Sequence, residues 1–286
     1  FVTVDDLDSK PWIGARRDAT FRGLAAAYEA AWVLRNEADF AFVVGPRRSP
    51  KGTLILRLSD QYSMAVFPFV QGQAGTWGDP LTDPVRDVLL QELARLHQAT
   101  ALPGIRVERR PLGVPERPLL AAALGALDRP WEGGPFSEPA RHALARQAGN
   151  VTGWLDQLDV LSRRLGQADD EDVLTHGEPH PGNIIHTAAG LRLVDWDTVA
   201  VARPERDLWM LADGAPGGLA RYEDLTGRRV GHAAMSFYRL AWTLSDIASL
   251  ADRFRSPHRA SPWMSNMWSE FQRLLGGAPS APYSVS

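Results

Sequence analysis

Cysteine is absent from this 286-residue chain, which excludes a disulfide framework, a thiolate zinc site and a cysteine nucleophile. A reducing compartment, the cytoplasm, is the simplest home for such a chain. Long apolar runs are absent as well. None approaches the roughly 18 residues of a membrane-spanning helix, and the first residues carry neither a basic start nor an apolar signal core. Charge of one sign is not in excess: 31 basic residues against 34 acidic ones leave a formal net charge of -3. Binding to nucleic acid or to a membrane surface through a bulk positive field is therefore excluded, and any partner has to be recognised locally. Lysine is nearly missing, with only Lys10 and Lys51 among the basic residues.

What is present is ordinary for a globular protein. Hydrophobic residues make up 44% and charged residues 23%, enough to bury a core and too apolar for disorder, collagen or fibre. The length allows two domains, at roughly 100 to 200 residues each. The chain begins at Phe1, inside a β-prone run and without an initiator methionine, so an N-terminal segment is expected to have been lost.

Phe1 to Val4 reads as a strand that ends in the polar turn from Asp5 to Ser9. Phe21, Leu24, Ala25, Tyr28, Ala31, Trp32 and Leu34 recur at helical spacing and predict one amphipathic helix. Strands are expected at Phe40 to Val44 and Thr53 to Leu58, and a third at Ser63 to Val70 is limited by Pro68. Beyond Gly72 the character changes. Helices are predicted over Pro84 to Gln98, Pro118 to Leu127, Pro139 to Leu165 and Ala233 to Phe254, with two short strands near Asn183 and Asp195. The tail from Gly276 to Ser286 is rich in Gly, Pro and Ser and is expected to fray.

The chemistry is concentrated between Leu174 and Asp197. Asn183 to His186 and Leu191 to Val194 read as two strands joined by a turn over Thr187 to Gly190. Asn183 and Asp195 lie equally far from the tip, so a symmetric hairpin sets them opposite one another, about 5 Å apart at Cβ. An amide oxygen and a carboxylate at that separation can share a hard cation, and Mg²⁺ suits a sparse site because it keeps waters and accepts phosphate ligands. Glu178 lies five residues before Asn183, in a loop stiffened by Pro179, Pro181 and Gly182. A carboxylate for the hydroxyl proton beside an Asn and Asp pair for Mg²⁺ is the arrangement that phosphoryl transfer needs.

These residues resemble a known family. His176-Gly-Glu-Pro-His-Pro-Gly-Asn183 followed by Val194-Asp-Trp-Asp197 is similar to the catalytic loop and metal motif of the aminoglycoside phosphotransferases and their choline-kinase-like relatives. Pro204-Glu-Arg-Asp-Leu208 and the segment Tyr238 to Ile247 are most similar to the spectinomycin phosphotransferase branch. Ala65-Val-Phe-Pro-Phe-Val-Gln-Gly72 looks like the family's hinge, and Leu93-Ala-Arg-Leu-His97 like the helix that follows it. The resemblance implies an α+β, two-lobed protein-kinase-like fold: a small, shortened sheet-containing N-lobe over 1–70 with its hinge at 67–72, and a mainly helical C-lobe over 71–286. That lobe would hold the catalytic loop at 174–183 and the metal hairpin at 183–197. It implies ATP and Mg²⁺ as cofactors, with the Pro68 carbonyl and the Val70 amide holding adenine, Glu178 as the catalytic carboxylate, and Asn183 and Asp195 on the metal.

The implied activity is ATP-dependent phosphorylation of a hydroxyl on a small, cationic molecule, first an aminoglycoside or aminocyclitol antibiotic, with Asp246 as the contact to its positive charge. The alternatives are a metabolic kinase of a choline-like or sugar-like alcohol, and a nucleotide-binding protein without turnover. Two departures from the family's pattern stand out. The family usually has Asp where this chain has Glu178. The strand lysine that binds phosphate aligns with Thr3, and the glycine-rich strand pair ahead of it is not in this sequence, so weak nucleotide binding and slow turnover are expected unless Lys10 substitutes. Glu29 lies mid-helix, where the fold keeps an acid that pairs with that lysine. His176, His180 and His186 are read as structural, and Asp207 as a carboxylate that braces a loop.

Overall fold

The computed structural model describes residues 1–100, 102–167, 172–212 and 219–277; most of the Gly276 to Ser286 tail lies outside the described residues. In chain order the elements are β1 (Val2–Asp6), α1 (Arg17–Asn36), β2 (Ile55–Arg57), β3 (Tyr62–Val66), β4 (Gln73–Ala74), α2 (Asp83–Gln98), α3 (Arg117–Leu124) and α4 (Ser137–Gly166). They continue with β5 (Val173–Thr175), β6 (Ile184–Thr187), β7 (Gly190–Leu193), β8 (Ala200–Ala202), α5 (Glu205–Leu208), α6 (Ala220–Thr226), α7 (His232–Arg255) and α8 (Pro262–Gly276). The sheets are antiparallel, and the helices α2 to α4 and α5 to α8 come in runs rather than as βαβ crossovers, an α+β arrangement. Two compact units result, one from the described residues of 1–111 and 169–231, the other from those of 112–168 and 232–286.

In the first unit β1, β3 and β2 form an antiparallel sheet in that order, with Val2 opposite Val66 and Thr3 opposite Ala65. Helix α1 covers it through Leu24, Ala27, Tyr28, Ala31 and Leu34, which recur every three or four residues and are all buried. Leu7, Leu24, Tyr28, Leu54 and Ala65 make the core beneath, with Phe67 packed against it. The strand expected at Phe40 to Val44 is reduced to one bridge, Val43 to Leu193. Asp39 turns left-handed at φ 54°, and Val43 donates back to the Phe40 carbonyl, so the segment curls before a ladder can extend.

A second sheet runs β4, β6, β7, and β5 pairs with β8. The sequence reading missed β4, β5 and β8, because strands of two or three residues are too short to display a period of two. Helix α2 starts with Pro84 in its first turn and buries Leu89, Leu90, Leu93, Leu96 and His97 against β5 and α6. In the second unit α7 packs against α3, α4 and α8. Ser261 caps α8, its hydroxyl accepting the Met264 N–H at 3.1 Å. No described helix is long and apolar enough to cross a membrane.

Candidate active site

The loop after β5 is held from below by buried polar groups. Asp207, fully buried, accepts the backbone N–H of His176 at 2.9 Å and also that of Gly177. His97 donates to Asp207 from Nε2 at 3.1 Å, and the Tyr222 hydroxyl bonds His97 Nδ1 at 2.7 Å. Burial opposes the charge on Asp207, but His97 and Arg206 outweigh it and hold the carboxyl below the ordinary aspartate value. The brace expected of Asp207 is therefore present. Arg206 lies under the same loop, donating to the Thr175 hydroxyl and the Thr198 carbonyl, each at 2.8 Å. Gly177 is left-handed at φ 102°, and a Cβ there would collide with the Arg206 guanidinium. Only glycine fits.

His176 joins this loop to the hairpin. Its Nδ1 accepts the Glu178 N–H at 3.1 Å, which leaves the proton on Nε2 to donate to the Val194 carbonyl at 3.0 Å. Its ring meets the edge of Trp196 at 4.7 Å, and burial lowers its pKa to about 4. The ring is thus neutral and structural, as expected. Glu178 is half-buried, and its carbonyl accepts the Asn183 side-chain N–H at 2.9 Å. Asn183 uses its donor within the loop and offers its amide oxygen.

The hairpin register differs from the symmetric reading by one residue. Ile184 pairs with Leu193 and Thr187 with Gly190, so the turn is the two-residue Ala188–Ala189, and Asn183 accepts the N–H of Val194 rather than facing Asp195. Asp195 lies one position further on, in the left-handed region at φ 65°, ψ 60°. That conformation takes the chain out of the ladder, and both Asn183 and Asp195 line one cavity. Trp196, fully buried, anchors the turn by donating to the Leu193 carbonyl at 2.8 Å.

Asp5, Asp195 and Asp197 gather around one ammonium, that of Lys10. Burial and the charge of Asp197 push Asp195 up to about 6, against the pull of Lys10. Three carboxylates near a single cation leave the cluster short of positive charge, and Asn183, lining the cavity with Asp5 and Asp195, is a candidate neutral ligand beside them. These hard oxygens fit Mg²⁺. Among the described residues no three His, Asp or Glu side chains converge as a metal cage.

The cavity, about 500 Å³, belongs to the first unit. Phe67, Pro68, Phe69 and Val70 form one part of its wall, while Thr3 and Asp5 from β1, Tyr28 from α1, and Asn183 and Asp195 form others. Pro68 and Val70 are thus brought into the same cavity as the hairpin pair. Glu29 is not: it pairs with Arg48 at 2.5 Å on the surface, and Arg48 lies over the Trp32 ring. The inward position on α1 is Tyr28, whose hydroxyl donates to Asp5 at 3.2 Å. Sequence reasoning missed the site roles of Asp5, Tyr28 and Asp197; the signal for Tyr28 was its place on the apolar face of α1, which Glu29 does not share. His180 stacks edge-on against Trp77 at 4.4 Å, and His186 is exposed.

Asp246 belongs to the second unit, on α7. Burial, with Glu270 nearby, pushes it up to about 7 against the lowering contact with Trp242. Glu116 accepts the hydroxyl of the neighbouring Ser245 at 2.7 Å and adds to that negative field.

Residues 43–241 match the family model for the APH phosphotransferase enzyme family. The protein StrN of Streptomyces griseus is 30% identical over 279 residues, covering 92% of this chain and 80% of that protein. Among solved structures, spectinomycin phosphotransferase APH(9)-Ia, in complex with ADP and spectinomycin, superposes with a TM-score of 0.72 at 16% identity, over 87% of this chain and 80% of the other. Choline kinase LicA from Streptococcus pneumoniae superposes with a TM-score of 0.53 at 13% identity, over 90% of this chain and 82% of its own. The fold is accordingly the α+β, kinase-like one that the motifs implied. With the family model spanning most of its length and the Streptomyces relative nearly all of it, the chain belongs to the phosphotransferase enzyme family and is a kinase of small molecules.

Proposed function

We propose that this protein transfers the γ-phosphoryl group of ATP to a hydroxyl of a small cationic molecule, with an aminoglycoside-like or aminocyclitol antibiotic as the first candidate. The observation that carries the reading is the convergence of Asn183 and Asp195 on a cavity whose wall includes Pro68 and Val70, with Glu178 bonded to Asn183. The likeness to a spectinomycin phosphotransferase supports the substrate class. A reaction fed by ATP, in a chain without cysteine, fits the cytoplasm.

In this reading adenine lies against the segment from Phe67 to Val70, with the Pro68 carbonyl accepting its exocyclic amine and the Val70 N–H donating to its ring. Asn183 and Asp195 would hold Mg²⁺, which would supply positive charge against that of the phosphate oxygens. Glu178 orients the substrate hydroxyl and accepts its proton, and His176, by fixing the Glu178 backbone, sets where that carboxylate starts. Glutamate reaches one methylene further than the aspartate usual in the family, so the hydroxyl is met further from the loop. Asp246, with Glu116 and Glu270 around it, supplies negative charge for an aminated substrate.

A choline-like or sugar-like alcohol is the second substrate class, favoured by the likeness to choline kinase. The test is transfer of labelled γ-phosphate from ATP to spectinomycin, streptomycin, kanamycin, choline and simple sugars. Label appearing in an aminocyclitol or aminoglycoside supports the first reading, and label in choline or a sugar alone replaces it with the second.

A further inference from the structure

The strand position that faces the cavity is occupied by Thr3, an uncharged side chain whose hydroxyl donates to the Ala65 carbonyl. The family's phosphate-binding charge is thus missing from the strand itself. Asp5, two residues on, faces the same side, since side chains alternate along a strand. Lys10 comes back from the turn beyond β1 to meet it: its Nζ lies 3.2 Å from Asp5 and donates to Asp197, and its side chain is only 16% exposed. Its charge therefore sits between the strand and the turn that carries Asp195. Lys51, the other lysine, is exposed in a turn.

We propose that Lys10 is the cation that receives the phosphates of the bound nucleotide, delivered from the turn after β1 in place of a lysine at the Thr3 position. An ammonium has three donors; Asp197 takes one by hydrogen bond and Asp5 pairs with the charge at 3.2 Å, which leaves a donor for a phosphate oxygen. The two carboxylates also fix the long side chain before the nucleotide arrives, so little rotamer freedom is left to lose on binding. Burial works against the charge, but Asp197, Asp5 and Asp195 overcome it and raise the pKa, so Lys10 stays protonated. The usual partner for a strand lysine has moved in step: Glu29 pairs outward with Arg48, while Tyr28 turns inward and donates to Asp5. Asp5, anchored by Tyr28, thereby takes over the task of holding the lysine.

This assignment rests on the kinase reading of the cavity, and calorimetry separates the two. ADP and adenosine are titrated into the unaltered chain and into Lys10→Met, each with EDTA present so that no metal contributes. Lys10→Met should lose about 10-fold to 100-fold in ADP affinity, the size of one hydrogen bond between charged groups, and keep its adenosine affinity. Thr3→Lys combined with Lys10→Met returns the charge to the strand and should recover most of the lost ADP affinity. Equal ADP affinity for Lys10→Met and the unaltered chain overturns the assignment alone. Parallel losses for ADP and adenosine, without recovery in the double variant, also overturn it, since Lys10 would then only support the fold. Failure of the unaltered chain to bind ADP overturns the kinase reading together with it.

Discussion

The carboxylate of Asp207 accepts the backbone N–H of His176 at 2.9 Å across 31 residues of sequence; the same oxygen, Oδ2, takes the Nε2 proton of His97, and Oδ1 takes the Gly177 N–H. Asp207, His176 and His97 are all buried. The loop that carries Glu178 therefore stands on a charge that cannot reach water, and removing that charge leaves two amide donors and an imidazole unsatisfied. Asp207→Ala should destabilise the fold by about 3–5 kcal/mol, as breaking buried ionic networks does. Urea denaturation reads this directly; an unchanged midpoint would mean that the loop is held by something else.

Gly177 makes an independent test of the same support. A methyl group there meets both a left-handed backbone and the Arg206 guanidinium. Gly177→Ala should cost about 2–4 kcal/mol and lower turnover as the loop shifts. Gly153, on the helix α4, has open space where a methyl group would sit and serves as the control, with Gly153→Ala neutral or stabilising.

The role we propose for Glu178 is to act on the substrate hydroxyl. Glu178→Gln should reduce kcat by about 10²-fold to 10⁴-fold while leaving ADP affinity unchanged, because the group is assigned to chemistry and not to nucleotide binding. Glu178→Asp keeps the charge and the backbone geometry set by His176 and Asn183 but ends one methylene short, so its kcat should fall less than that of Glu178→Gln. Steady-state kinetics of both variants decide the matter, and normal turnover by Glu178→Gln would require another base.

Much of this site was legible in the sequence, because its parts are local. The loop from His176 to Asn183 and the turn at Asp195 flank one hairpin, and Pro, Gly and Asn announce their turns. The register was misread by one residue because the tip was placed on residue 189, whereas the hairpin is centred between Ala188 and Ala189. What joins distant segments was not readable. The apolar spacing put Tyr28 on the buried face of α1, but that its hydroxyl would meet Asp5 depends on how the helix packs on the sheet. The contact of Lys10 with Asp197 spans 187 residues, and no spacing rule reaches that far.

Asp246 carries a testable pH dependence. Its folded pKa, raised from 3.8 to about 7, means that the folded state favours the protonated acid. Folding stability contributed by this group is thus lost as pH rises from about 4 through 7. Asp246→Asn should melt above the unaltered chain at pH 8, by on the order of 4 kcal/mol at most, with the gap closing near pH 4. If Asp246 also meets the substrate's positive charge, KM for an aminated substrate should fall as pH rises through 7, and the Asn variant should flatten that profile. A thermal-melt gap that is the same at pH 4 and pH 8 would remove the argument.

Asn183 and Asp195 are proposed to hold the metal of a nucleotide bound in the cavity beside Pro68 and Val70. The most direct test is calorimetric titration of ADP with Mg²⁺ and with EDTA, into the unaltered chain and into Asp195→Ala. Mg²⁺ should tighten ADP binding to the unaltered chain, and Asp195→Ala should lose that gain while binding adenosine as before. The same Mg²⁺ gain in both proteins would contradict the account.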